Sequence, residues 1–166
     1  MKKYIFILFI LLAVLSCRVN YSFSGINIGK NIKTFEVPYI PNNASIIVPG
    51  LNDDFKNQLI DKITQNTNLE EDKNNPDLVF EAEITDYSVQ PVSLTAEQTA
   101  AMNRLTIRIK LNYINHKNEK DNFTKTYSHY YDYPATQSRL EIQEEAHKEI
   151  FDQILEDIFS DTLAKW

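Results

Sequence analysis

Three cations share one alternating run: Arg104, Arg108 and Lys110. In an extended strand, side chains two or four residues apart leave the same face, so all three project together. Arginine presents a planar fork that matches phosphate or carboxylate, and lysine adds a point charge. The chemistry available to such a stripe is anion binding. It would be a local reversal of field in a chain whose formal net charge is −6. Two readings stand. The stripe is either an anion-binding surface or a solvated sheet face paired across strands with Glu81 and Glu83. Shielding separates them, because a hydrogen bond to a charged group contributes about 1.5–3 kcal/mol when sheltered and much less in open water.

A second constellation is aromatic. Tyr127, Tyr130, Tyr131 and Tyr133 fall within seven residues, with His129 and Asp132 among them. Four tyrosines so placed, on or just after a strand, cannot all reach a single core. Tyrosine combines apolar area with a polar tip, which suits an interface. Partner docking and the filling of a strand edge both fit.

Catalytic groups are harder to find. His116, His129 and His147 fall in a predicted turn, a strand and a helix, and nothing in their spacing brings them together. Glu144 and His147 form half of a di-iron carboxylate pattern, but the other predicted helix has no histidine, so the pair reads as a solvated helix face. No Gly-x-Ser-x-Gly elbow is present. Glu70, Glu71, Asp72 and Asp77 lack calcium-loop spacing. Three glycines are too few for glycine-rich phosphate loops. The expectation is a protein that is not an enzyme and uses neither metal nor cofactor.

The elements that position these groups follow from periodicity. Lys33 to Val37 alternates as a first strand that Pro38 and Pro41 end, and Asn42 to Gly50 is a loop. Leu51, Phe55, Leu59 and Ile63 recur every fourth residue on an amphipathic helix, with Asn52 as its expected N-cap and Asp53 and Asp54 in the first turn. Asn66 to Pro76 is polar and acidic and reads as a loop. Three strands follow. In the first, apolar parity changes between Ile84 and Tyr87, which predicts a bulge or bend near Asp86. A long connection spans Pro91 to Met102. Next comes the cleanest strand, with Leu105, Ile107, Ile109, Leu111 and Tyr113 opposite the basic stripe; a turn over Asn115 to Lys120 leads to a strand from Phe123 to Tyr131. Ser138 and Glu141 form a capping box, and the helix behind it is expected to run almost to Trp166. The order β-α-β-β-β-α predicts an α+β fold, with a four-stranded mixed or antiparallel sheet and both helices packed on one face.

The amino terminus carries another kind of chemistry. Lys2 and Lys3 precede an apolar stretch from Ile5 to Leu15, which ends at Ser16 and the lone cysteine, Cys17. The stretch has the build of a secretory signal and is short for a membrane span. It resembles the lipobox of bacterial lipoproteins, in which the leader is cut and the cysteine acylated, although Val14-Leu15 departs from the usual order. The expected organisation is a cleaved signal over 1–16, a lipid-anchored tether over 17–32, and one α+β domain over 33–166. Cleavage leaves 150 of 166 residues and, by removing Lys2 and Lys3, takes the formal charge from −6 to −8. An acidic chain is a poor nucleic-acid binder, and with no second cysteine the core must hold the fold without a disulfide.

Several segments together resemble one family: Tyr21-Ser22-Phe23-Ser24-Gly25, Lys33-Thr34-Phe35, Pro49-Gly50-Leu51, Ala101 through Ile107, Tyr130 to Tyr133, and the ending Glu156 to Phe159 through Ala164-Lys165-Trp166. They are similar, in the same order, to the lipopolysaccharide-assembly lipoproteins of the LptE family. The resemblance implies an outer-membrane lipoprotein that plugs an LptD-type β-barrel, helps it assemble, and assists lipopolysaccharide into the outer leaflet. Its domain would face the periplasm or the barrel lumen. The resemblance also implies that Arg104, Arg108 and Lys110 bind lipopolysaccharide phosphates, that Cys17 is the lipid attachment site, and that the tyrosine cluster meets the partner. The alternative is a lipoprotein that binds or shuttles anionic lipids without a barrel.

Overall fold

The computed structural model describes residue 29 and residues 31–92 and 101–164. The expected signal, the lipidated Cys17, nearly all of the tether and Trp166 lie outside the described residues.

The elements are β1 (Thr34–Glu36), α1 (Leu51–Asn66), β2 (Glu70–Glu71), β3 (Leu78–Val92), β4 (Met102–Asn115), β5 (Phe123–Pro134) and α2 (Arg139–Thr162), with a 3₁₀ turn at Glu119–Asp121. Among the described residues the sheet has five strands in the order β2-β1-β3-β4-β5, not the four expected. The additional strand is β2, which sequence patterning places in an acidic loop. Two consecutive glutamates have no apolar alternation; they join the edge through their backbone, and β1 pairs in parallel with both β2 and β3. Parallel neighbours need a crossover, and α1 supplies it. β3, β4 and β5 form an antiparallel meander.

The parity change in β3 is a bulge. Ile84 pairs with Ile109 and Asp86 with Arg108, so Thr85 is the extra residue. Before it Phe80, Ala82 and Ile84 face the core; beyond it Tyr87 does. β3 continues past the expected end, with Pro91 opposite Asn103.

Helix α1 starts one residue before the expected cap. Gly50, not Asn52, occupies the N-cap, with φ of 80°. Val48 to Leu51 closes as a turn in which the Leu51 N–H donates to the Val48 carbonyl. Proline and then glycine at its centre suit a type II turn, whose third residue needs positive φ. Leu51 is thereby delivered into the core, and Asp53 and Asp54 complement the helix dipole. At α2 the capping box forms as expected: Ser138 Oγ accepts from the Glu141 N–H, and Glu141 Oε2 accepts from the Ser138 N–H at 2.6 Å.

Both apolar stripes enter one core. Leu51, Phe55, Leu59 and Ile63 from α1 and Ile142, Ala146, Ile150, Ile154 and Ile158 from α2 cluster with the inward residues of β4. Phe55 meets Phe151 edge-on with centroids 5.0 Å apart, which ties the helices together. With both helices on this side, the other face of the meander remains uncovered.

Candidate functional site

The uncovered face is built from alternate positions of three strands. β3 contributes Glu81, Glu83 and Asp86; β4 contributes Arg104, Thr106, Arg108, Lys110 and Asn112; β5 contributes Thr124, Thr126, Ser128, Tyr130 and Asp132. The basic stripe therefore lies together and outward, opposite the buried odd-numbered residues of β4. It is not an isolated positive strip, because four carboxylates surround its three cations.

Each cation has a different environment. Arg104 is clamped by Asp132, its cross-strand partner, with Nε and Nη2 donating to the two carboxylate oxygens at 2.7 Å each. Its guanidinium also lies 3.6 Å from the centroid of the Tyr130 ring. The Asp132 hydrogen bonds hold the Arg104 guanidinium above its ordinary pKa. Arg108 makes a looser pair with Asp86 at 3.3 Å, and its side chain remains 53% exposed. Lys110 makes no ion pair among the described residues. The cross-strand partners expected from sequence, Glu81 and Glu83, are engaged elsewhere. Asn112 Nδ2 donates to Glu81 at 2.6 Å, and Asn43 Nδ2 donates to Glu83 at 2.7 Å. Glu83 is the register partner of Lys110 all the same.

The tyrosines divide by strand parity. Tyr127 and Tyr133 are buried, and Tyr131 is half-buried on the helix side near Glu145. Tyr130 points the other way and is 49% exposed. Tyr127 donates its hydroxyl to Asp161 of α2 at 2.9 Å; burial, reinforced by that carboxylate, pushes its pKa up. Of the four rings, Tyr130 is the exposed one.

The histidines stay apart. His129 Nε2 lies 2.7 Å from Asp157 Oδ2 on α2. His116 sits in the β4–β5 turn, where its N–H donates to the Asp77 carbonyl. His147, expected on a solvated face, instead turns inward: its Nε2 is 3.0 Å from the Tyr87 hydroxyl, and its ring stacks on Phe151. Burial lowers its pKa, and Arg139 adds to that against an opposing contribution from Asp54. A 3.6-residue period cannot distinguish a polar residue at the margin of the apolar stripe from one on the water side. Among the described residues no group of three or more His, Cys, Asp or Glu is placed to hold a metal ion, and no helix is long and apolar enough to cross a membrane.

Sequence reasoning missed Asp77. Placed in the acidic loop, it is buried and caps the start of β1: it accepts from the Lys33 N–H at 2.7 Å and the Thr34 N–H at 3.2 Å, and pairs with Lys117 at 2.8 Å. Thr34 Oγ1 in turn accepts from the Asp77 N–H. Its position beside Pro76 at the start of a strand was the signal available. Also unforeseen is a groove of about 550 Å³ between the Pro38–Pro41 segment and the uncovered sheet face, with Tyr39 and Lys110 on its walls.

Among solved structures, a minor lipoprotein from Acinetobacter baumannii is 13% identical, with 76% of this chain and 88% of that one covered at a TM-score of 0.49. A lipoprotein from Neisseria meningitidis is 10% identical, with 74% of this chain and 97% of that one covered at a TM-score of 0.43. Comparison with curated proteins finds no match. The family model for LptE, described as lipopolysaccharide-assembly, matches residues 32–162. That span runs from the lead into β1 to the last residue of α2, and the chain belongs to the LptE lipopolysaccharide-assembly family.

Proposed function

We propose that this chain is a non-enzymatic outer-membrane lipoprotein, anchored through Cys17. In this reading it occupies the lumen of an LptD-type β-barrel, helps that barrel assemble, and assists lipopolysaccharide into the outer leaflet. Its role in lipopolysaccharide assembly follows from the family. The observation that supports the plug is the uncovered sheet face. That face carries hydroxyls, amides and charges of both signs, largely cross-paired. A large barrel has a polar interior, and a rigid sheet with a polar, charge-balanced face is complementary to such a wall. Acyl chains would find little to bury against there, which weighs against a free lipid carrier. Tyr130 is the aromatic contact this reading gives the partner, with Tyr127, Tyr131 and Tyr133 behind it on the helix side of the sheet.

Lipopolysaccharide phosphates would meet the same face at Arg104, Arg108 and Lys110, and the three differ in readiness. Arg104 must first release a bidentate carboxylate, which costs it two charge-assisted hydrogen bonds. Arg108 must loosen one weaker pair, and Lys110 none. The test is affinity purification of the tagged, lipidated chain from solubilised outer membranes, followed by mass spectrometry. A stoichiometric large barrel protein is the expected result. The chain recovered with lipid and no barrel would overturn the plug and favour the carrier.

A further inference from the structure

The sheet ends differently on its two sides. One terminal strand, β2, has two residues, both glutamates, and offers almost no backbone to a neighbour. The other, β5, runs for 12 residues with proline only at its last position. Its register with β4 is unbroken, so no bulge turns this edge away. Among the described residues no second strand pairs with it. Alternate backbone N–H and C=O groups of such a strand point outward without a ladder partner. Thr124, Thr126, Tyr127, Tyr130 and Tyr131 are residue types that favour extended pairing.

The helix beside this edge is acidic. α2 carries eight carboxylates against Arg139 and Lys148, so its formal charge equals the −6 of the whole chain. Glu145, Glu149, Asp157 and Asp161 share a helix face through their four-residue spacing, and that face borders β5. Asp157 meets His129, Asp161 meets Lys125 and Tyr127, and Tyr131 lies in the fields of Glu145 and Glu149. Glu145 and Glu149 are exposed and make no ion pair among the described residues. A strand added to β5 would send every second side chain to the helix side, beside this row. Lysine or arginine there would complement the row, and carboxylates would be repelled. A second copy paired antiparallel through β5 would set two such rows side by side, so charge argues against self-association. A closed barrel wall has no free strand edge to offer. We infer that β5 is a docking edge for an extended segment of a partner chain, which adds a strand to the sheet and turns basic side chains at alternate positions towards the carboxylates of α2. Main-chain hydrogen bonds would supply affinity and the alternate cations specificity. This edge lies outside the plug reading and needs no barrel wall.

The probe is a short capped peptide of alternating lysine and threonine, titrated into the isotopically labelled, lipidated chain in uncharged maltoside micelles. Amides along residues 125–132 should shift saturably, and their hydrogen exchange should slow by about tenfold or more at saturation. Methylating every backbone nitrogen of the peptide keeps its charge and removes its donors, and should abolish that protection. A peptide of alternating glutamate and threonine should not bind. Glu145→Gln combined with Glu149→Gln should weaken binding about fivefold. Both side chains are exposed, so the fold is not at stake. No saturable shift along β5 would overturn the inference. So would equal binding by the methylated peptide, which reports charge without strand pairing, or an unchanged affinity in the double variant. Sedimentation of the chain alone should show a monomer; a dimer with β5 amides already protected would give the edge to a second copy and overturn the basic partner. No barrel protein is present, so failure here leaves the plug reading standing, and failure of the purification leaves this edge standing.

Discussion

Replacing Asp77 by asparagine isolates one charge at the start of β1. Asparagine has the shape of the protonated acid and can still accept from the Lys33 and Thr34 N–H groups, so the change removes ionisation and little else. Burial alone would raise the Asp77 pKa. The hydrogen bond from Lys117 and the two backbone donors outweigh it and hold the carboxyl at about 2, against an ordinary 3.8. That difference corresponds to about 2 kcal/mol favouring the ionised form in the folded chain. The Lys117 side chain is 46% exposed, and water screens its share. The figure is therefore a ceiling, and we expect Asp77→Asn to cost about 1–2 kcal/mol at neutral pH. The sign of the pH dependence follows from the lowered pKa. The stabilisation is complete above the ordinary 3.8 and is lost as pH falls through about 2. Urea unfolding of a leaderless chain beginning at residue 18, followed by far-UV circular dichroism, measures both effects. The parent and Asp77→Asn should differ at pH 7 and converge towards pH 2. Equal midpoints at pH 7, or a gap that persists unchanged at low pH, would refute the argument that ionised Asp77 holds β1 in place.

Four further outcomes follow from the same structure. Ser138→Ala removes half of the α2 capping box and should cost about 1 kcal/mol by chemical denaturation. Gly50→Ala meets no neighbour within 4 Å but forces a side chain onto φ of 80°, so it should destabilise by about 1 kcal/mol, read in the same way. Phe80→Ala opens the fully buried contacts with Phe35 and Tyr113 and should cost about 3–5 kcal/mol, enough to compromise the soluble yield. His147 has a pKa lowered by burial, so its neutral form supports the fold above its ordinary 6.5, and that support is lost as pH falls through its lower folded value. His147→Phe should therefore flatten the fall in melting temperature between pH 7.5 and 5; an unchanged slope would place the titration elsewhere.

How much was legible from sequence depended on whether a signal was local. The β4 face assignment held because one residue in two is apolar from Leu105 to Tyr113, and a one-residue slip would bury Arg104, Arg108 and Lys110. The bulge near Asp86 was visible as a change in the same alternation, and the α2 capping box as a pair at fixed spacing. β2 had no such signal, because its two glutamates are held by backbone pairing to a strand more than thirty residues earlier in the chain. The Gly50 cap was written in Val48-Pro49-Gly50, but the stronger capping preference of Asn52 obscured it.

The candidate site divides along the same line. Sequence alone determined that the three cations share a face, that the tyrosines cannot share one, and, through the order of its segments, the family. Those properties depend on backbone period and on short stretches of residue types. Tertiary structure decided which cation is already spent. Asp132 reaches Arg104, Asn43 takes one oxygen of Glu83, and the Pro38–Pro41 segment, held along the edge of β3 where the Ile84 N–H donates to the Pro41 carbonyl, lines a groove beside Lys110, the one cation of the three that makes no ion pair among the described residues. Charge pairing is settled by angstroms between side chains from distant segments, and a hydrogen bond claimed by one partner is withheld from the next.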